Sequence, residues 1–254
     1  MLTAEDKLHF DTFGFLFKRQ AFSPDEIGKI TDDASIMFEE DREGRPFGEG
    51  QGVSRFVESP RMSWLAEDDR IYGTVEGLLG PGFVWAGSEG NVTVKSLHRW
   101  HADRPGDTQL AFQRVKVMIY LDKVTGDSGS LRVIPGSHRA PFHSDLRFLN
   151  DLQSDADARP FGVEPQDLPG VALESSPGDV VFFNQCLYHA VFNGWVGRRY
   201  LALKFAHRPA SPEDVEALME YSPYVFDPAD FFLKSDRPRI RGLVEGLAEM
   251  TPKG

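Results

Sequence analysis

The segment "RWHADRPG", Arg99 to Gly106, carries an imidazole and a carboxylate two positions apart. Residues i and i+2 of an extended chain share one face, so His101 and Asp103 are expected to point into a common space. A neutral imidazole beside a carboxylate suits a borderline divalent metal. One further imidazole would complete the two-histidine, one-carboxylate face that holds non-haem Fe(II). The tripeptide alone also describes a surface loop with a local charge contact, so the third donor decides.

Six other histidines compete for that place. His9 falls in an amphipathic helix, where packing accounts for it. His98 lies three residues before His101, which puts it on the opposite face of a regular strand. His138, His143 and His207 sit where structural roles suffice. His189 differs, because it follows the turn and apolar strand "SPGDVVFFNQCLY" and precedes "AVFNGWVGRRYLALKF". Beyond it stand Arg198 and Arg199, opening a strand that is otherwise apolar. Adjacent strand residues face opposite ways, so one of the two points inward, where a guanidinium needs an anion. A fork that grips one carboxylate while the other end of the molecule reaches a metal matches 2-oxoglutarate.

The elements that must position these groups are legible as a β-core between helical flanks. Thr3, Ser23 and Ser211 read as helix N-caps with an acidic residue three positions on, and Pro follows directly after the last two. Ile27, Ile30, Ala34 and Phe38 keep helical spacing, and a further helix is expected from about Asp68 to Leu79. From "FVWAG" onward the period changes. "NVTVKSLH", "RVKVMIYLD", "SLRVIPG", "GVALESS", "DVVFFNQ" and "RRYLALKFAHR" are short, rich in β-branched and aromatic residues, and separated by turn formers. Strands without long intervening helices argue for a mainly β fold, an antiparallel jelly roll that brings distant strands side by side. The expected organisation is one domain over 1–254, with a helical flank at about 1–80, the β-core at about 83–208 and a helical flank at about 211–250. The polar, Pro-rich stretch from Asn150 to Gly170 interrupts the core and reads as a candidate lid.

The 254 residues fit one large domain, and 41% hydrophobic with 26% charged residues is the composition of a globular chain. Against 39 Asp and Glu stand 28 Lys and Arg, a net charge of −11 that disfavours nucleic acid and anionic membranes as partners. No secretory leader or membrane span is read, and the single Cys186 fits a reducing compartment, so a cytoplasmic setting is expected.

Taken together, "HAD" with the following "RP", then "GSLRVIPGSHR" at Gly129 to Arg139, "SPGDVVFFN", His189 with Asn193, and "RRYLALKF" resemble the phytanoyl-CoA dioxygenase family of Fe(II)/2-oxoglutarate oxygenases. The likeness covers roughly Phe83 to Arg208, with weaker support from "HFDTFGFLFKRQAFSPDEI". It implies a double-stranded β-helix, Fe(II) on His101, Asp103 and His189, and 2-oxoglutarate on Arg198, with Arg199 as the alternative one residue away. It further implies O2 as oxidant, release of succinate and CO2, and, because Asp103 occupies the carboxylate position, hydroxylation of a small molecule rather than halogenation.

Strand parity with His101 nominates Arg99 as a substrate contact, and the next strand nominates Gln113 or Val115; Arg99 or Arg104 would suit a substrate bearing a carboxylate or phosphonate. Oligomeric state is left open. Two other readings stay in play. A cupin-like metal enzyme would not use 2-oxoglutarate, and a non-catalytic small-molecule-binding jelly roll would need no metal ligands.

Overall fold

The computed structural model describes residues 2–46, 50–94 and 97–250. Helix α1 (Ala4–Phe13) starts at Thr3 and α2 (Pro24–Arg42) at Ser23, each with a reciprocal capping box to Asp6 or Glu26. Helix α3 (Asp69–Leu79) is capped by Asp68 and stops at Gly80. Ser211 caps the helix Pro212–Tyr221, accepting from the Asp214 N–H. The Thr3, Ser23 and Ser211 caps are the ones read from the sequence.

Among the described residues, ten strands build two antiparallel sheets: β1 (Phe15–Lys18), β2 (Gln51–Ser54), β3 (Val84–Thr93), β4 (His98–His101), β5 (Arg114–Tyr120), β6 (Leu131–Val133), β7 (Val171–Leu173), β8 (Val180–Asn184), β9 (His189–Val191) and β10 (Arg198–Ala206). The major sheet runs β1, β8, β5, β10, β3, β2, and the minor sheet β4, β9, β6, β7. This is the antiparallel jelly roll expected from the pattern, and the double-stranded β-helix that the family resemblance implies.

Two features depart from the reading of the sequence. The flank at 1–80 is not purely helical, since β1 and β2 close the two edges of the major sheet. "FLFK" follows directly on Gly14, whose left-handed backbone (φ +83°) ends α1 and turns the chain onto β8. The strand expected to break at "SEG" instead continues as β3. Its glycines there mark close approach: a Cβ on Gly87 would collide with the Tyr224 hydroxyl, and one on Gly90 would meet the Met37 Cε at 2.8 Å.

The outer face of the major sheet, with Val117, Leu201, Leu203 and Phe205, is buried against Ile30, Phe38 and Val75 of the helices. Its inner face, with Met118, Val181, Phe183 and Ala202, meets Leu131 and Val191 of the minor sheet. The outer face of the minor sheet carries Trp100, Ala102, Tyr188 and Ala190, the residues that flank His101 and His189 in sequence.

The segment from Asn150 to Gly170 packs on that outer face. Leu168 and Ala158 are buried, Trp100 Nε1 donates to the Pro165 carbonyl at 2.6 Å, and the Asn150 amide pairs with both backbone groups of Ala102 at 3.1 and 3.2 Å. None of its residues lines the central cavity. The expectation of a lid therefore fails: Ala158, Leu168 and the buried Pro160 and Pro165, with Leu149 just before the segment, supply enough apolar surface to hold it behind the minor sheet, at about 1.5–3 kcal/mol per fully buried large aliphatic. No helix among the described residues is long and apolar enough to cross a membrane.

Candidate functional site

His101 and His189 are direct cross-strand partners on β4 and β9, with ring centroids 4.3 Å apart. Each Nδ1 is paired with a backbone carbonyl two residues back, Arg99 at 2.7 Å and Leu187 at 2.8 Å. A carbonyl only accepts, so both Nδ1 atoms carry the proton and both Nε2 lone pairs are free. They converge on Asp103 Oδ1, at 3.7 Å from His101 and 3.6 Å from His189. All three donor atoms lie within 4.8 Å of one another. Burial, then the neighbouring His101, pushes the His189 pKa down to about 3, which keeps this imidazole neutral. Two neutral nitrogens and one carboxylate oxygen around one point fit a divalent cation.

The major sheet supplies the charges around that point. Its inner face is set by register: Lys116 on β5 lies opposite Lys204 on β10 and Phe183 on β8. Lys116 Nζ reaches Asp103 Oδ2 at 3.2 Å and Glu89 Oε1 at 3.0 Å, while Lys204 takes Glu89 Oε2 at 2.8 Å. Burial alone would raise the Asp103 carboxyl, but the Lys116 ammonium holds it well below the usual carboxylate range. Asp103 is thus anionic with Oδ2 engaged and Oδ1 turned to the histidines. Glu89 is likewise opposed by burial yet held at about 2 by Lys116 and Lys204.

Arg198 is 3% exposed, lines the same cavity and donates from Nη1 to the Gly129 carbonyl. Its buried Nε has no partner, and no carboxylate among the described residues pairs with it. The segment "GSLRVIPGSH" explains its placement. Gly129 has φ +69°, and a Cβ there would meet Arg198 Cδ at 3.0 Å; Leu131 to Val133 then form β6, which pairs with Val191 to His189 of β9. One motif therefore fits the arginine arm and registers the strand that carries His189. Arg199, on the other face, pairs with Asp122 at 2.8 Å outside the cavity. The cavity measures about 460 Å³, a size that admits a small ligand, and Met118, Leu131, Phe183 and Val191 form its apolar wall.

Three nominated contacts are misplaced. Arg99 points away and donates to the Ala156 carbonyl at 2.5 Å, because β4 pairs His98 with Val191 but His101 with His189, an irregularity that breaks the parity argument. The same bulge puts His98 on the cavity, where a regular strand would have turned it outward. Gln113 is exposed on another surface, and Val115 belongs to the outer core, since the even-numbered residues of β5 face inward. The sequence reading missed Lys116, Lys204 and Glu89. Their signal was present as single charges at inward positions of apolar strands. His138 and His143 are structural, with His143 Nδ1 near the Ser137 and Cys186 carbonyls.

Lys116→Met is expected to strip both carboxylates of a buried partner, a loss of about 3–5 kcal/mol. For a chain of this length that lowers the melting temperature by roughly 6–20 °C. Thermal unfolding with and without Mn(II) checks it: the metal should restore part of the loss, because a dication supplies the charge that Asp103 lacks.

The phytanoyl-CoA dioxygenase (PhyH) family model matches residues 10–193. A stretch of 91 residues is 30% identical to dioxygenase lolE1 of Epichloe uncinata, covering 35% of this chain and 31% of that protein. The chain thus matches under a third of that relative's length. HygX from Streptomyces hygroscopicus, solved with nickel and 2-oxoglutarate bound, superposes with a TM-score of 0.65 at 20% identity, over 83% of this chain and 88% of that one. EctD from S. alaskensis, in its apo form, gives 0.61 at 23% identity, over 81% and 77%. At these identities the likeness is one of fold.

Proposed function

This chain belongs to the phytanoyl-CoA dioxygenase family, and from that premise we propose that its cavity hydroxylates a small molecule with Fe(II) held by His101, Asp103 and His189 and 2-oxoglutarate held by Arg198. Fe(II) and 2-oxoglutarate are its cofactor and cosubstrate. Together with O2 they supply the oxidation, in which R–H, 2-oxoglutarate and O2 become R–OH, succinate and CO2. The observation that carries the reading is the convergence of three metal donors beside a buried guanidinium that has no carboxylate of its own.

In this reading the chain's own groups hold and orient. The carbonyls of Arg99 and Leu187 fix the two imidazole tautomers, so Nε2 is presented without a proton to lose. Lys116 occupies Asp103 Oδ2 and leaves Oδ1 as the donor. Arg198, pinned by Gly129, offers its unpaired edge to the distal carboxylate of the cosubstrate. The apolar wall excludes water from the reacting end. The whole chain is read as one oxygenase domain, and its setting as cytoplasmic, in keeping with a lone, free Cys186.

A cupin-like enzyme without 2-oxoglutarate would have no use for Arg198, and a binder none for the donor set. Succinate release under Fe(II) and ascorbate, screened over amino acids, phosphonates, quaternary amines and acyl thioesters, tests the proposal. Substrate-dependent release that stops on chelation or on omission of 2-oxoglutarate is expected. Turnover of any of these substrates without 2-oxoglutarate would favour the cupin-like reading.

A further inference from the structure

Arg104 follows Asp103 directly and lines the cavity. Its position is fixed from three sides. The backbone N–H donates to the Gln185 carbonyl at 3.0 Å, Nη1 donates to the Asp103 carbonyl at 2.6 Å, and the guanidinium lies over the Tyr221 ring at 4.1 Å. A guanidinium stacked and tethered in this way is held in one plane before any ligand arrives. Its Nε is nevertheless buried without a partner, and no carboxylate among the described residues pairs with it.

The charges nearby do not compensate it. Lys116 and Lys204 share Glu89 and Asp103, and Glu220, next to Tyr221, accepts from the Gln109 amide at 2.9 Å, so the carboxylates at this end are already engaged. Behind the same Tyr221 ring, at 5.9 Å, stands Arg114, 1% exposed, with Nε and Nη1 both unpartnered. The side-chain amide of the adjoining Gln185 has neither of its polar atoms satisfied. Arg114 and Gln185 stand outside the cavity lining, so of these groups Arg104 alone presents its charge to the cavity, and an oxyanion there would complete it.

This end is remote from Arg198. Arg114 pairs with Ala206 on β10, eight residues along the strand from Arg198, so the two arginines stand toward opposite ends of that strand. The metal donors lie between, because Asp103 is tied to Lys116 and Lys116 pairs with Lys204 on the same strand. We propose that Arg104 is the substrate's anchor, and that the substrate of this cavity carries an anionic oxygen group, a carboxylate or a phosphonate. The inference rests on the reading of the cavity as a metal- and 2-oxoglutarate-dependent active site. The two guanidiniums then divide the work: Arg198 takes the cosubstrate's carboxylate, and Arg104 takes the substrate's anion at the other end.

The probes are propionate, methylphosphonate and the neutral propionamide, added to protein loaded with substoichiometric Mn(II) and saturating 2-oxoglutarate. Paramagnetic broadening of their 1H and 31P resonances reports which of them sit near the metal. Saturable broadening of one or both anions, and not of the amide, is expected. Arg104→Gln should weaken it at least tenfold while leaving the 2-oxoglutarate affinity unchanged, and Arg104→Lys should restore part of it. Broadening that survives Arg104→Gln, or that propionamide matches, overturns the assignment. So does its absence in wild-type protein that binds Mn(II) and 2-oxoglutarate normally, whereas failure of the wild-type protein to bind those two would overturn the metal reading beneath it.

Discussion

His189→Ala is expected to abolish turnover and to weaken Mn(II) or Fe(II) binding by at least roughly 100-fold. Loss of a group that merely orients a metal ligand costs on the order of 10–100-fold in affinity, and here the ligand itself is removed. Only His101 and Asp103 would remain, two donors that cannot define a face. Folding should survive, because the residues that pack β9, Tyr188 and Ala190, point to the other side of the minor sheet. Anaerobic equilibrium dialysis with Mn(II) measures the effect, and His101→Ala should behave alike. Unchanged affinity in both variants would remove the metal from this site.

For Arg198→Ala the loss falls on the cosubstrate alone. A charge-assisted hydrogen-bonded pair contributes about 1.5–3 kcal/mol, which corresponds to a rise of roughly 10- to 150-fold in the 2-oxoglutarate Kd. Metal binding should stay within about twofold, since Arg198 touches none of the three donors and is instead held by Gly129. Arg199→Ala is the matched control. That side chain pairs with Asp122 on the outer face, so its removal should leave 2-oxoglutarate affinity unchanged. Calorimetric titration of 2-oxoglutarate into Mn(II)-loaded protein separates the two arginines directly.

How far the site could be read from the sequence follows from how local its determinants are. His101 and Asp103 are two residues apart, and Arg198 stands against Arg199 by simple strand parity, so short-range geometry sufficed once a motif had fixed the register. His189 was found because it opens a strand after an unmistakable turn. Gln113 and Val115 were misplaced because the even-numbered residues of β5 face inward, and the same parity rule failed at Arg99 and His98. A bulge in β4 shifts the count by one residue, and nothing in "LHRW" announces it.

Lys116, Lys204 and Glu89 were missed for a different reason. Their meaning depends on the pairing of β5, β10 and β3, which no local pattern specifies. The stretch from Asn150 to Gly170 misled because polar composition was read as weak packing, whereas a few apolar side chains at Leu149, Ala158 and Leu168 hold it against the minor sheet. The β-core itself was legible from alternating β-branched and aromatic runs. Its edges β1 and β2 were not, being four residues each within a flank dominated by capped helices.

On the proposed function one metal and one 2-oxoglutarate share this cavity, and the second needs the first. Its most direct test is an anaerobic titration of metal-free protein, first with Fe(II) and then with 2-oxoglutarate. The expected result is one Fe(II) per chain, followed by one 2-oxoglutarate whose affinity falls at least tenfold when the metal is left out. Equal 2-oxoglutarate binding with and without Fe(II), or no Fe(II) bound by protein whose His101, Asp103 and His189 are intact, would contradict it.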